Sequence, residues 1–200
     1  MKYIIIGGVA GGASTAARLR RLDEEAEIIL LEKGEYISYA NCGLPYYIGD
    51  VIDERSKLFV QTPRSFAARF RVGVRVKSEV TDVLPDAKKV VVKDIETGRE
   101  YEETYDKLVL SPGAEPVLPP LDGIQHPGIF TLRNVADTDR IKTFIREHRV
   151  KRALIVGAGF IGLEMAENLK RQGIEVTVVE MANQVMTPVD YEVATFVHQE

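Results

Sequence analysis

The 200-residue sequence predicts an α/β protein, because one pattern of strand, glycine turn, helix and strand occurs twice. The first copy has an apolar run at residues 3–6, glycines within residues 7–12 and a second apolar run at residues 27–32. The second copy has its glycine turn at residues 157–162. Continuous apolar strands around a helix favour a parallel sheet that is covered on both faces. A glycine turn between such a strand and a helix is typical of Rossmann-like dinucleotide-binding domains, so two are predicted.

Composition excludes several classes of function. The formal net charge is −4, whereas a general nucleic-acid binder is usually basic. No apolar run approaches the roughly 18 residues of a membrane span, so we expect a cytoplasmic protein without membrane contact. The single cysteine rules out an internal disulfide. The three histidines are far apart in sequence and have no cysteine partners, so no metal site is predicted.

Propensity and turn residues predict the other elements. We expect helices at residues 13–22, 137–148 and 163–172, an antiparallel meander at 72–110 and a proline-containing connector at 114–130. The meander is predicted from alternating valines and from turns at Pro85-Asp86 and Thr97-Gly98. Gly173 is expected to end the last helix.

The second glycine turn matches the dinucleotide fingerprint fully, with Gly157, Gly159 and Gly162. Glycines let the backbone approach a pyrophosphate, and the helix N-terminus offers free N–H groups to its charge. An acidic residue follows the next strand in each copy, Glu32 or Glu180, where it can accept from ribose hydroxyls. Glu180 favours NADH over NADPH, because a carboxylate repels a 2′-phosphate. The alternative is a tight packing turn without a ligand.

The first glycine turn departs from this fingerprint. Gly7 and Gly12 match its first and sixth positions, but Val9 stands at the third. We expect Gly8 and Gly11 to supply backbone flexibility instead.

The most informative segment is SYANCGLPYYIG, at residues 38–49. Asn41 is predicted to be a helix N-cap, and Pro45 is tolerated in a first turn. This arrangement would place Cys42 near a helix N-terminus, where a thiolate is stabilised. The alternative is a buried cysteine that acts as a small hydrophobe, which is the usual role of a lone cysteine.

Several segments resemble the coenzyme A-disulfide reductase branch of the pyridine nucleotide-disulfide oxidoreductases. They are GGVAGGASTAARLRRL, LLEKGEYISYANCGLPYYIGDV, YDKLVLSPGAEP, FTLRNVADTDRI and IVGAGFIGLEMAENL. The branch includes coenzyme A-persulfide and polysulfide reductases, which often carry a C-terminal rhodanese domain. NCGLPYY is specific, because ordinary members have two cysteines here, whereas NADH oxidases and peroxidases usually have a serine before the cysteine and lack the Leu-Pro pair.

The resemblance implies that NADH reduces FAD, FAD reduces Cys42, and Cys42 reduces a coenzyme A disulfide, coenzyme A persulfide or polysulfide. The residues implied for FAD are Gly7, Gly8, Val9, Ala10, Gly11, Gly12, Glu32, Lys33, Asn41, Cys42, Val80, Ser111, Pro112 and Gly113. Those implied for NAD(P)H, with NADH favoured, are Gly157, Ala158, Gly159, Phe160, Ile161, Gly162, Glu164 and Glu180. Those implied for coenzyme A are Ser14, Arg18, Arg21, Ser38 and Asn41.

Simpler roles compete for some of these residues. Arg18, Arg20 and Arg21 would also suit a solvated helix end, where they complement the dipole. That role is at least as good for Arg20, whereas coenzyme A phosphates are favoured for the other two. The Ser111-Pro112-Gly113 sequence would suit a strand-end turn, and Glu164 a surface charge.

The resemblance also implies a division into domains. Residues 1–115 would be the N-terminal part of the FAD-binding domain with the active-site cysteine, 116–149 a connector and helix, and 150–200 the start of the NAD(P)H-binding domain. Family members are much longer, so we expect a chain truncated at residue 200 and a homodimer at full length. The alternatives are an NADH oxidase or peroxidase that uses a cysteine sulfenic acid, and a non-catalytic nucleotide-binding fragment.

Overall fold

The computed structural model describes residues 1–199, which form two compact units. The first unit contains residues 1–40 and 59–114, and the second contains residues 41–58 and 115–199. Packing therefore groups the Cys42 segment with the second unit, whereas the sequence interpretation placed it within residues 1–115. Each predicted domain is defined by the cofactor that it would bind, and this division stays a prediction.

The main sheet of the first unit is parallel, as predicted. Its order is β3-β2-β1-β7, and the strands are β1 (Lys2–Ile6), β2 (Glu27–Leu31), β3 (Gly73–Arg75) and β7 (Lys107–Leu110). Ile4 of β1 lies opposite Ile29 of β2 and Leu108 of β7. The first strand is therefore central in the sheet.

The predicted meander over residues 72–110 is wrong at both ends. Only β4 (Ser78–Leu84), β5 (Lys89–Asp94) and β6 (Glu100–Thr104) form the antiparallel sheet. The flanking strands β3 and β7 pair in parallel with β2 and β1. Alternation of apolar residues identifies a strand but does not specify its partner, and this is the reason for the error.

Two cores cover the faces of the main sheet. One face packs on α1 (Ala10–Leu22) and α3 (Pro63–Phe70), through a cluster that includes Ile5, Ala13, Ala16, Ile28, Leu30 and Phe66. The other face packs on the meander, through Ile4, Ile29, Leu31, Val90 and Val92. Burial on both faces explains why the strands are continuous apolar runs.

Arg20 is a structural residue and not a solvated charge. Its guanidinium donates hydrogen bonds of 2.7–3.1 Å to five carbonyl oxygens, those of Asp23, Glu24, Ala26, Phe70 and Arg71. These carbonyls lie at the ends of α1 and α3 and in the chain that follows α1. The side chain therefore joins two helix C-termini, where a cation is favoured.

The second unit contains the repeated pattern. Its strands β8 (Arg152–Val156) and β9 (Glu175–Val179) are parallel, and its helices are α2 (Leu44–Ile48), α4 (Val135–Glu147), α5 (Phe160–Arg171) and α6 (Tyr191–His198). Gly173 follows the end of α5 with a φ of +74°, as the predicted helix stop requires. A core of Ile48, Ile141, Met165, Leu169 and Ile174 joins α2, α4 and α5.

Residues 114–130 contain no helix or strand, as the predicted connector requires. Among the described residues, no helix has the length and apolar character needed to cross a membrane.

Candidate functional site

The two glycine turns share one backbone geometry. Gly7 and Gly157 have φ values of +95° and +99°, which only glycine adopts at low cost. A Cβ on Gly12 would lie 1.7 Å from the Gly7 carbonyl oxygen, and one on Gly162 would lie 2.0 Å from that of Gly157. The first and sixth glycines are therefore required by the turn itself in both copies.

An acidic side chain braces each turn in the same way. Glu32 accepts hydrogen bonds of 2.7 Å from the backbone N–H groups of Gly8 and Gly34. Glu180 accepts bonds of 2.7 and 2.9 Å from those of Ala158 and Ala182. The bond from Ala158, followed by that from Ala182, lowers the pKa of Glu180. A carboxylate has about four acceptor positions, so each keeps acceptor capacity for ribose hydroxyls.

The helices that follow these turns lack N-terminal caps. Neither α1 nor α5 has a side-chain cap or an acidic residue in its first turn. By contrast, α3 has a capping box from Thr62 and Ser65, and α4 has one from Asn134 and Asp137. The uncapped ends present free N–H groups and a positive dipole end, which fit an anionic pyrophosphate.

Three other glycines of the turns, Gly8, Gly11 and Gly159, have different structural roles. A Cβ on Gly8 would lie 2.6 Å from Ile37 Cγ2, and one on Gly11 would lie 2.4 Å from Ser111 Oγ. These two glycines make room for packing, so the predicted role in flexibility is wrong. Gly159 has an ordinary φ of −82°, and a Cβ there would meet nothing within 4 Å. The protein does not need glycine at position 159, whereas a ligand lying against the backbone would.

Cys42 lies in a 3-10 turn, Asn41–Gly43, that leads directly into α2. The cap of α2 is Gly43, so the prediction of Asn41 as the N-cap is wrong, because the helical path already begins at residue 41. Pro45 lies in the first turn of α2, as predicted. Cys42 is exposed and has a free thiol, which rules out the alternative of a buried hydrophobe.

Polar contacts that the sequence analysis missed hold the other end of α2. Asp50, two residues after the helix, accepts a hydrogen bond of 2.8 Å from Gln172 and pairs with Lys142 at 2.7 Å and Arg146 at 3.6 Å. The hydrogen bond from Lys142 is the largest influence on the pKa of Asp50 and lowers it, against the effect of burial. Lys142 and Arg146 are four residues apart, so they lie on one face of α4. This spacing of two cations is the sequence feature that could have indicated these contacts.

A sequence comparison identifies the family. The family model for "Pyridine nucleotide-disulphide oxidoreductase" matches residues 1–200. The chain belongs to this family.

Three similar oxidoreductases are much longer than the chain. The coenzyme A disulfide reductase of Staphylococcus epidermidis is 42% identical over 193 residues, which are 96% of this chain and 43% of that protein. The crystal structure of reduced Bacillus anthracis CoADR-RHD has a TM-score of 0.96 and 57% identity, over 99% of this chain and 36% of that one. A NAD-dependent persulfide reductase from A. fulgidus has a TM-score of 0.93 and 37% identity, over 100% and 37% respectively. The chain thus spans about two fifths of the length of these oxidoreductases.

The remaining positions predicted for FAD belong to the first unit, apart from Asn41 and Cys42, which belong to the second. Ser111 donates its N–H to Ile6 at 2.8 Å and lies against Gly7 and Gly11. Gly113 has a φ of +75°, whereas Pro112 and Ala10 are exposed. Lys33 pairs with Glu79 at 2.9 Å, and Val80 lies at an irregularity in the pairing of β4 with β5.

The positions predicted for coenzyme A fall in both units. Ser14, Arg18 and Arg21 are exposed, and their spacing places them on one face of α1. No ion pair or side-chain hydrogen bond holds either arginine within the described part of the chain. Ser38, also in the first unit, has a φ of +48° and donates its N–H to Gly8. Asn41 belongs to the second unit.

Within the second copy, the predicted residues are exposed to different extents. Phe160 and Ile161 are exposed at the start of α5. Glu164 is half-buried one turn later, and its carbonyl accepts from the Asn168 side chain at 2.8 Å. Both predicted roles of Glu164, contact with NAD(P)H and a surface charge, therefore stay predictions.

Proposed function

We propose that this chain carries the cofactor turns and the redox thiol of an FAD-dependent oxidoreductase, which uses NADH to reduce a coenzyme A disulfide, coenzyme A persulfide or polysulfide. The observation that carries the proposal is Cys42, an exposed thiol in the NCGLPYY segment and the only cysteine of the chain. Two named relatives act in this chemistry, a coenzyme A disulfide reductase and a persulfide reductase. Assembly as a homodimer stays a prediction.

The residues around the first turn fit FAD, and those around the second fit NADH. Both helix N-termini are uncapped, and both turns hold a carboxylate near the end of the second strand. At the second turn, Gly159 leaves an open space that the fold does not require. When bound, the two cofactors would supply hydride and electron transfer.

Cys42 would act as the nucleophile. Its thiolate attacks one sulfur of a coenzyme A disulfide, so the substrate S–S bond breaks, one coenzyme A leaves as a thiolate, and a new S–S bond joins Cys42 to the other. Two electrons, which the bound cofactors would supply from NADH, would then break that bond and release the second coenzyme A thiolate. The exposure of Cys42 suits this reaction, because the attacking sulfur must reach a substrate in solution.

Arg18 and Arg21 would hold the coenzyme A phosphates. Each charge-assisted contact is worth about 1.5–3 kcal/mol, so Arg18→Gln or Arg21→Gln should lower kcat/KM for coenzyme A disulfide by roughly ten- to hundredfold. Inorganic polysulfide should be used almost as well as by the wild type. Arg171→Gln, at the end of α5, is the matched control. Equal losses on both substrates would count against a coenzyme A site.

The decisive experiment is Cys42→Ser in the complete natural protein. Turnover of coenzyme A disulfide should be abolished, whereas stopped-flow reduction of the flavin by NADH should persist, because hydride delivery does not use sulfur. The free energy of unfolding should change little, since the side chain is exposed. Wild-type turnover by Cys42→Ser would refute the proposal. NADH consumption that needs oxygen or peroxide, and not a disulfide, would instead indicate an oxidase or peroxidase.

A further inference from the structure

We propose that Lys142 is a positioning residue for Cys42, acting through Asp50 and the C-terminal end of α2. The inference rests on the proposed role of Cys42 as the redox thiol. It concerns the polar contacts among α2, α4 and α5, all of which lie within the second unit.

The thiol-bearing segment depends on outside contacts for its position. The helix α2 has five residues, and isolated helices shorter than about 12 residues are marginal in water. Its Ile48 is fully buried in the core with α4 and α5. Apolar packing therefore sets the depth of the helix, but it is not directional.

Directional contacts come from side chains at the end of α2. Lys142 donates to the Tyr47 carbonyl, and its Nζ lies 3.8 Å from the centroid of the Tyr47 ring. Gln172 donates to the Ile48 carbonyl at 2.6 Å and to Asp50 at 2.8 Å. The last carbonyls of α2 are thus bound by a cation from α4 and an amide from beyond α5, which suits a helix C-terminus.

Lys142 is only 5% exposed, which is unusual for a lysine. Its ammonium is satisfied by Asp50, by the Tyr47 carbonyl and by the ring face of Tyr47. An apolar pair would hold two elements together without the desolvation cost of a buried charge. The charged arrangement instead specifies one placement, because the ammonium is satisfied only when α2 and Asp50 occupy these positions.

Two neighbouring contacts fix the same segment. Arg55 binds Asp139 of α4 through Nε and a terminal nitrogen at 2.7–3.0 Å. Gly49 packs so closely on α5 that a Cβ there would lie 2.3 Å from the Asn168 side-chain oxygen. Asp139 and Lys142 are three residues apart and lie on one face of α4. The segment is therefore held on α4 by the Arg55–Asp139 ion pair and by Lys142, and on α5 by the packing of Gly49.

The test compares variants of the complete natural protein. Lys142→Met should lower kcat for coenzyme A disulfide by about ten- to hundredfold, because small displacements of a reacting group have effects of that size. KM should change less than threefold and flavin reduction by NADH less than twofold. Hydrogen exchange of the backbone at residues 41–58 should accelerate, whereas that of β1 and β2 should not. Lys142→Arg should restore part of kcat.

Two further variants separate positioning from stability. Asp50→Asn with Lys142→Met removes both charges, so it should regain most of the free energy of unfolding but not kcat. Lys57→Met is the matched control, since Lys57 pairs with Asp53 at 2.5 Å in the same segment and both side chains are exposed. It should behave as wild type. If Lys142→Met does not fold, Asp50→Asn is judged by the same criteria, because asparagine tolerates the φ of +58° at this position.

Three results would overturn the inference: wild-type kcat in folded Lys142→Met, a loss of flavin reduction equal to that of kcat, or recovery of kcat together with stability in the double variant. These results differ from failure of the proposed function. That failure would appear as wild-type turnover by Cys42→Ser, whatever the Lys142 variants do.

Discussion

The two copies of the strand–turn–helix–strand pattern have nearly the same turn in different surroundings. Gly7 and Gly157 share a left-handed φ, and Glu32 and Glu180 accept equivalent backbone hydrogen bonds. The strands of the first copy are mostly buried, whereas those of the second are exposed at alternate positions, with Val156 80% exposed. The shape of the turn is therefore determined locally, and the surroundings decide which other glycines are needed.

The third position of the fingerprint shows this difference most clearly. The first copy has Val9 there and needs Gly8 and Gly11, because Ile37 and Ser111 leave no room for a side chain. The second copy has Ala158 and Ile161 at the equivalent positions and keeps Gly159, which has open space around it. Glycines required by packing and a glycine suited to a ligand can thus be distinguished within one chain.

The largest expected effect comes from the sixth glycine of each turn. Gly12→Ala should destabilise its unit by more than about 3 kcal/mol, because the methyl group would meet a backbone oxygen in a buried sheet. Gly162→Ala has a similar clash with the Gly157 carbonyl and should also destabilise its unit. Urea unfolding measures both. Changes below about 1 kcal/mol in both variants would contradict the shared geometry.

The next largest effect should come from Arg20, which should contribute more to the free energy of unfolding than Arg171 does. Arg20→Ala removes five hydrogen bonds to carbonyls, and we expect a loss of about 2–4 kcal/mol in the free energy of unfolding. Arg171→Ala removes only an exposed pair with Glu167, so its effect should stay within about 0.5 kcal/mol. Thermal and urea unfolding of both variants check this. A similar cost for both substitutions would mean that the Arg20 contacts contribute little.

Substitutions of Gly8 and Gly159 should distinguish a glycine that packing requires from a glycine that ligand binding requires. Gly8→Ala should cost about 1–3 kcal/mol through overpacking. Gly159→Ala should leave stability within about 0.5 kcal/mol but weaken NADH binding roughly tenfold, since the methyl group would occupy the ligand's space. Calorimetric titration with NADH and urea unfolding give the two quantities. If Gly159→Ala bound NADH with wild-type affinity, the open space at Gly159 would not be part of the NADH site.

The smallest effects concern Glu180. Wild-type kcat/KM should be at least as high for NADH as for NADPH, and a preference for NADPH of about tenfold or more would contradict this. Glu180→Gln should shift the ratio toward NADPH. The pKa of Glu180 is lowered in the fold, so its contribution to stability is complete above the ordinary value of 4.5 and is lost as pH falls through the lower folded value. Unfolding midpoints of wild type and Glu180→Gln should therefore converge in acid. A constant difference at every pH would contradict this.

Local patterns predicted much of the fold and of the candidate site. The glycine turns, the acids after the strands and the Cys42 segment are short motifs whose geometry follows from neighbouring residues. The pairing of β3 and β7 with the first strands was missed, because partner choice depends on contacts between residues far apart in sequence. The structural roles of Arg20 and Lys142 were not predicted. In the sequence of an amphipathic helix, a partly or fully buried charged residue cannot be distinguished from an exposed one.

Mass spectrometry tests most directly whether Cys42 forms a disulfide with its substrate, as proposed. The complete natural protein, with its thiol reduced and no NADH present, would be treated with coenzyme A disulfide and digested with trypsin. The peptide of residues 34–55, which contains Cys42, should carry one coenzyme A that a reductant removes. Cys42→Ser is the control and should carry none. An unmodified peptide from a protein that turns over coenzyme A disulfide would contradict the account.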